Sequence, residues 1–392
     1  MPITTYIWGE SGSGLSERAW DIAERTGAAW VGNNAQSHIS MMRSTVRDEL
    51  AVAMEQRGVP VPTMEEAVDA ELVQWGLTEQ ADQDPMSLST GQTRRVAIAQ
   101  ALLAGPTALV LDCPCDGLDT DAVTLLRDVL MDFPGEVIVV DRVRNALADS
   151  AQHVEHITGA HEPPPRIDEL VTSSLRVDDK PTPNLATPQA AFTATELVIE
   201  RGHSTIGPVS VTAPAGAITH VAGPNGCGKT TLFLAGLGLV PKKQLVHGTL
   251  ECAGRIGWCP TDMDSAVTRK SVREELELGS STELARAAMD FAQLNDVAEV
   301  HPLDLPSARR RIVLVAAAMV RAPGVVFLDE PTVGLDAPGA AALADLMRRY
   351  VAGEYHANIG RDGETPAIVW SCHDPHYAAA VSDYSVQIAL TR

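Results

Sequence analysis

The sequence predicts an α/β chain of two domains, each a mostly parallel sheet core with an inserted helical subdomain, the N-terminal copy truncated. Short apolar runs bounded by turns or acidic residues, at 108–111, 137–140, 325–328 and 367–370, alternate with helical segments, as buried parallel strands do. Residues 88–119 align with residues 305–336 without a gap, and 44–50 echoes 270–276 upstream, so the chain carries a duplication. A length of 392 residues suits two such domains.

The first domain is expected over residues 1–160. It starts almost directly on the strand Tyr6-Ile7-Trp8-Gly9, passes through a helical middle at 45–103, and continues through the strands at 108–111 and 137–140. Residues 161–190 carry Pro163, Pro164, Pro165, Pro181, Pro183 and Pro188 among polar residues, the makeup of an extended linker. The second domain is expected over 191–392. Strand-like runs at 196–199 and 209–212 precede its first core strand at 217–222, and the first half has no such runs. That half therefore lacks this leading pair of strands.

The net charge of -21 argues against a sequence-independent nucleic-acid binder, which needs a basic footprint, and suits a basic protein partner. Apolar stretches such as 312–320 fall far short of the about 20 residues that cross a bilayer, and no signal peptide is expected. Cys113, Cys115, Cys227, Cys252, Cys259 and Cys372 lack a spaced framework and read as free thiols in a reducing cytoplasm. His153, His156 and His161 lie close in sequence but read as surface histidines rather than metal ligands.

The chemistry concentrates in the second half. Gly223-Pro224-Asn225-Gly226-Cys227-Gly228-Lys229-Thr230 follows an apolar strand and opens a helix at Thr231, the setting of a P-loop NTPase. Backbone N–H groups from Gly223, Asn225, Gly226, Gly228, Lys229, Thr230 and Thr231 are expected to wrap phosphates, with Lys229 bridging the outer two. Thr230 and Asp329 are the expected Mg2+ ligands, and Glu330 the group that polarises the attacking water. His373 ends the next strand, where an imidazole can touch the γ-phosphate.

These residues, in this order, resemble the ATP-binding cassette (ABC) superfamily over nearly the whole chain outside the linker. The resemblance implies two ABC ATPase domains that pack head to tail and sandwich ATP between the phosphate loop of one and the signature motif of the other. Leu88-Ser89-Thr90-Gly91-Gln92 matches that signature with Thr90 in place of the usual first glycine. In the second half the aligned run is Leu305-Pro306-Ser307-Ala308-Arg309, where Pro306 removes a hydroxyl and Ala308 adds a methyl group. The first half has instead lost its phosphate grip: Leu15 replaces the lysine, Cys113 the glutamate, and Asp141 stands where histidine is expected. The resemblance thus implies one working composite site, with Lys229, Thr230, Asp329, Glu330 and His373 from the second half and Ser89, Gly91 and Asp119 from the first. The other site would be dead. Asp119 has two readings, an interface loop or a simple turn. The family's magnesium-sensing glutamine aligns with Thr261 and, in the first half, with Asn33 or Gln36; Arg201 or His203 lies near the adenine-stacking position.

The function expected is ATP binding and hydrolysis for an ABC transporter of the energy-coupling-factor import type, which takes up vitamins or transition-metal ions. A separate transmembrane coupling subunit and a substrate-binding membrane subunit are the implied partners, with the chain peripheral on the cytoplasmic face of the cell membrane and bound to no nucleic acid. Two other readings stay open: a soluble ABC ATPase with no membrane partner, and a nucleotide-regulated scaffold with little turnover.

Overall fold

The computed structural model describes residues 3–157, 189–201 and 204–388. The chain divides into two compact units, Met1–Pro163 and Pro164–Arg392. Of the linker expected over 161–190, all but Gln189 and Ala190 lie outside the described residues, as do His161 and His203.

The first unit is built on five strands, β1 (Ile3–Gly9), β2 (Ala29–Val31), β3 (Ala108–Asp112), β4 (Glu136–Asp141) and β5 (Ala151–Ile157). They lie in the order β2-β3-β4-β1-β5, every pairing parallel. Parallel strands need crossovers, and helices supply them here on both faces. The helix Leu15–Thr26 sets Leu15, Ala19, Ile22 and Ala23 against Ile7, Val110, Ile138 and Val140. The opposite face packs against a larger core that includes Leu50, Val96, Ile98 and Leu126 from the helices Val46–Gln56, Thr90–Leu103 and Thr120–Asp132.

The second unit repeats this plan. Its strands are β6 (Ala190–Arg201), β7 (Ser204–Pro214), β8 (Ile218–Ala222), β9 (Leu245–Cys252), β10 (Ile256–Cys259), β11 (Val325–Leu328), β12 (Ala367–Trp370) and β13 (Tyr384–Gln387). The parallel core runs β10-β11-β12-β8-β13, the same order as in the first unit once β8 is matched to β1. A separate antiparallel sheet, β7-β6-β9, has no counterpart among the described residues of the first unit. Its strands are those expected at 196–199 and 209–212, now seen as parts of β6 and β7.

Two internal braces recur at matching positions. Arg94, fully buried, donates to the carbonyls of Gly32 (2.9 Å) and Asn33 (2.5 Å); Arg311 donates to those of Pro260 (2.9 Å), Thr261 (2.8 Å) and Val333 (3.2 Å). This pairing aligns Thr261 with Asn33 and not with Gln36. Glu49 accepts from Ser40 N and Oγ, both at 2.7 Å, and Glu275 accepts from Thr268 N (2.9 Å) and Arg269 N (2.8 Å). Each glutamate pins the segment that enters its helical region.

Arg311→Met keeps the volume but strips donors from three carbonyls. We expect it to cost about 2–4 kcal/mol, the usual penalty for orphaning buried polar groups. Urea unfolding of the full chain measures this, and a loss under about 1 kcal/mol would mean that the brace is dispensable.

Candidate functional site

The glycine-rich loop joins β8 to the helix Lys229–Gly236. Gly228 caps that helix at φ 104°, and a Cβ there would lie 2.6 Å from the Ile206 side chain, so only glycine fits. Gly226 has φ 79° and nothing within 4 Å of a notional Cβ, so its left-handed backbone rather than close packing favours glycine there. Lys229, 7% exposed, turns its Nζ back on the loop, donating to the carbonyls of Gly223 (2.8 Å) and Pro224 (3.4 Å). Thr231 is buried in the first turn, whereas Asn225 is half-buried and Thr230 exposed. Successive N–H groups at a helix start, with a lysine beside them, form a cradle for phosphate oxygens.

Opposite the loop, β11 ends in Asp329 and Glu330. Asp329 is buried, with Oδ2 accepting from Thr230 Oγ1 at 2.6 Å and Oδ1 from Ser371 Oγ at 2.8 Å. Glu330 sits at φ 49°, a left-handed conformation uncommon for a side chain of this size. Its N–H donates to Ser371 Oγ at 2.9 Å. The carboxylate is buried and neither oxygen has a hydrogen-bond partner; Lys229 Nζ lies 3.7 Å and His373 Nε2 3.3 Å from Oε1. Burial pushes Glu330 up to about 7, with Lys229 opposing that rise and Asp329 adding to it. A buried carboxyl with open acceptor sites, poised near neutrality, is equipped to take a proton from water.

A hard divalent cation fits this donor set. The Thr230 hydroxyl and the Asp329 carboxylate supply oxygen ligands beside the phosphate cradle, as Mg2+ prefers. Thr261 presents a short side chain, and its carbonyl is already held by Arg311. Among the described residues no group of three or more His, Cys, Asp or Glu side chains is arranged to hold a metal.

The first unit keeps the backbone of this site and carries different side chains on it. Gly14 caps the helix Leu15–Thr26 at φ 82°, as Gly228 caps its counterpart, but Leu15 is buried in an apolar cluster where Lys229 would stand. Cys113 holds φ 50° at the position of Glu330, so the strained turn has outlasted the carboxylate. Strand register corrects one expectation. Leu111 pairs with Val139 and Leu328 with Trp370, so Arg142 matches His373, and Asp141 matches Cys372. Sequence order alone leaves a one-residue ambiguity at a strand end, and one residue decides which face a side chain takes. Arg142 pairs with Asp116 at 2.6 Å, and Asp141 accepts from Arg142 N (2.7 Å) and Asn145 Nδ2 (2.8 Å).

The signature residues lie at helix starts. Ser89, exposed, caps Thr90–Leu103 in a reciprocal box: its N–H donates to Gln92 Oε1 at 2.9 Å and its Oγ accepts from Gln92 N at 3.4 Å. Gly91 is buried in the first turn. In the second unit Pro306 occupies the cap of Ser307–Met319 and gives no side-chain bond, while Ser307 Oγ donates to Gly334 O at 2.6 Å. Asp119 caps the helix Thr120–Asp132, accepting from Ala122 N at 2.9 Å, and Asp336 accepts from Gly339 N at 2.7 Å. Arg201 ends β6 exposed. His156, expected on the surface, is instead half-buried and stacked on Trp8 with ring centroids 4.0 Å apart. All six cysteines are free thiols. No helix among the described residues is long and apolar enough to cross a membrane.

The comparisons with known proteins fit this geometry. A family model described as ABC transporter matches residues 4–116 and 206–333. The "Putative ABC transporter ATP-binding protein" of Streptomyces coelicolor is 27% identical, spanning 92% of this chain and 77% of that protein. The "Putative HMP/thiamine import ATP-binding protein YkoD" of Bacillus subtilis is 23% identical over 86% of this chain and 71% of that protein. A chain from the solved assembly described as "Model of ribosome-bound archaeal Pelota and ABCE1" superposes with a TM-score of 0.72 at 18% identity, over 98% of this chain and 72% of that one, a likeness of fold alone.

Burial, aided by Asp116, pushes Asp141 up to about 7 from its ordinary 3.8. Below the unfolded value both states hold the proton. Between there and about 7 only the folded state does, so stability falls as pH rises. Asp141→Asn removes this slope: between about pH 4 and pH 7 its stability relative to wild type should climb by about 1.4 kcal/mol for each pH unit and then level off. Denaturant titrations across that range check it, and a flat difference would refute it.

Proposed function

The chain belongs to the ABC transporter family, and from that membership we propose that it is a tandem-cassette ATPase with one working composite site, serving an importer of the energy-coupling-factor type. Lys229, Thr230, Asp329, Glu330 and His373 would act from the second unit, and Ser89, Gly91 and Asp119 from the first. One observation carries this reading: the two units have lost complementary parts. The second combines a lysine-bearing loop and paired acids with a proline-capped helix; the first combines a reciprocal serine cap with a leucine in its loop.

In the proposed reaction the loop N–H groups and Lys229 hold the β- and γ-phosphates of ATP. Glu330 accepts a proton from water at a carboxylate oxygen as the water oxygen attacks the γ-phosphorus. The bond to the bridging oxygen breaks, and ADP and phosphate leave. His373, 3.3 Å from Glu330, orients the water. Thr230 and Asp329 would hold Mg2+, which when bound neutralises charge on the phosphates. Ser89 Oγ and the Gly91 N–H present a positive helix end to the γ-phosphate.

The import assignment draws on the runs at 44–50 and 270–276, which resemble the corresponding segment of energy-coupling-factor subunits, and on the thiamine-import name of the Bacillus subtilis relative. A soluble ATPase acting on macromolecular assemblies is the competing reading. The net charge of -21 weighs against a polyanionic partner for it. Co-purification with membrane subunits separates the two.

Glu330→Gln should retain ATP and lose turnover by at least about 100-fold. Ser89→Arg should abolish phosphate release, whereas substituting Leu15 or Pro306 should change it less than about twofold. Bound ATP in Glu330→Gln should titrate to one per chain. Wild-type turnover in Ser89→Arg, or two ATP per chain, would overturn the shared-site assignment.

A further inference from the structure

We propose that Ser371 is a positioning residue for hydrolysis, its one hydroxyl aiming both Asp329 and Glu330. The proposal rests on the reading that these two acids work on ATP. Ser371 is fully buried at the end of β12. Its Oγ donates to Asp329 Oδ1 at 2.8 Å and accepts from Glu330 N at 2.9 Å, and Thr230 Oγ1 closes on the other Asp329 oxygen at 2.6 Å. The hydroxyl commits its proton to one acid and an acceptor lone pair to the backbone of the next. Asp329 is thereby held at both oxygens, and the left-handed turn at Glu330 is tied to the neighbouring strand.

The first unit shows what the hydroxyl is not needed for. Register places Val140 at the position of Ser371. There the Cys113 N–H reaches the Val140 carbonyl at 2.7 Å, and Cys113 still holds φ 50°. The turn therefore forms without a serine. What is lost is the aim of the aspartate: Asp112 Oδ1 takes only the Cys113 thiol at 3.2 Å, and Oδ2 is buried without a partner. The serine hydroxyl accompanies the unit that keeps both acids and is absent where the glutamate is gone.

The test uses the full chain with Ser371→Ala, Ser371→Thr and Ser371→Cys beside Glu330→Gln, reading ATP affinity, kcat, KM and the Mg2+ concentration for half-maximal rate. Ser371→Ala should lower kcat by about 10–100-fold and raise the Mg2+ requirement several-fold, with KM and ATP affinity within about threefold of wild type. Ser371→Thr, which keeps the hydroxyl, should recover most of kcat. Ser371→Cys, nearly isosteric with a weak donor, should resemble alanine and serves should alanine fail to fold. Wild-type kcat and Mg2+ dependence in the Ala or Cys variant, or equal losses in Thr and Ala, would overturn the proposal. Should Glu330→Gln keep its turnover, the underlying reading of the acids fails instead, and the two failures are told apart.

Discussion

Parallel pairing of β11 with β12, Leu328 opposite Trp370, is the constraint on which the rest of the second unit's site depends. It sets the end of one strand, Asp329 and Glu330, beside the end of the next, Ser371 and His373. Parallel ladders place the carboxyl ends of neighbouring strands at one edge, which is where open α/β sheets bind ligands. The loop after β8 opens at the same edge because β8 pairs with β12 on its other side. The cluster's members come from three distant stretches of chain, yet Thr230, Asp329 and Ser371 form a continuous run of hydrogen bonds.

The duplication separates what the fold needs from what the chemistry needs. Buried arginines at 94 and 311, glutamates at 49 and 275, and helix-capping aspartates at 119 and 336 appear in both units in the same roles. Each satisfies backbone groups that the loops would otherwise bury unpaired, a cost of about 1–3 kcal/mol apiece. The residues that differ, Lys229 against Leu15 and Glu330 against Cys113, sit on backbone that the two units share, down to φ 49° and φ 50°. The same left-handed conformation at Cys113 shows that the turn does not require the carboxylate.

Much of this was legible in the sequence because it is local. The four core strands at 108–111, 137–140, 325–328 and 367–370 and the glycine-rich loop announce themselves through apolar runs and loop context, and the gap-free repeat announces the second copy. What stayed hidden depends on contacts across many residues. Arg142 rather than Asp141 matches His373 because strand register, which neither run specifies alone, fixes the correspondence. Arg311 reads as one of three consecutive arginines at 309–311; only the fold distinguishes it as the buried one reaching back about fifty residues to Pro260 and Thr261. Ser371 reads as an ordinary polar residue after a strand, and nothing within five residues of it names its partners. His156 stacks on Trp8 because β1 and β5 pair in a register that sets the two residues side by side, and that pairing joins opposite ends of the unit.

The contrast between the units is finally one of which groups the charged side chains meet. In the first, Arg142 pairs with Asp116 and Asp141 takes two donors, so the cation at the histidine position is neutralised internally. In the second, Lys229 donates to carbonyls of its own loop, which are neutral acceptors, and its Nζ and His373 Nε2 lie 3.7 Å and 3.3 Å from Glu330 Oε1. Burial of the Glu330 carboxyl favours its protonated form, and the nearby Lys229 opposes that rise. In the proposed reaction a polyanion entering the loop would draw Lys229 off the Gly223 carbonyl, and a water beside Glu330 would donate to its carboxylate. Lys229 and Glu330 are thus the groups that a bound nucleotide and its attacking water would meet in that reaction. In that reading the second unit gains from a ligand, whereas in the first Leu15 stands in place of the lysine and Arg142 is already matched by Asp116.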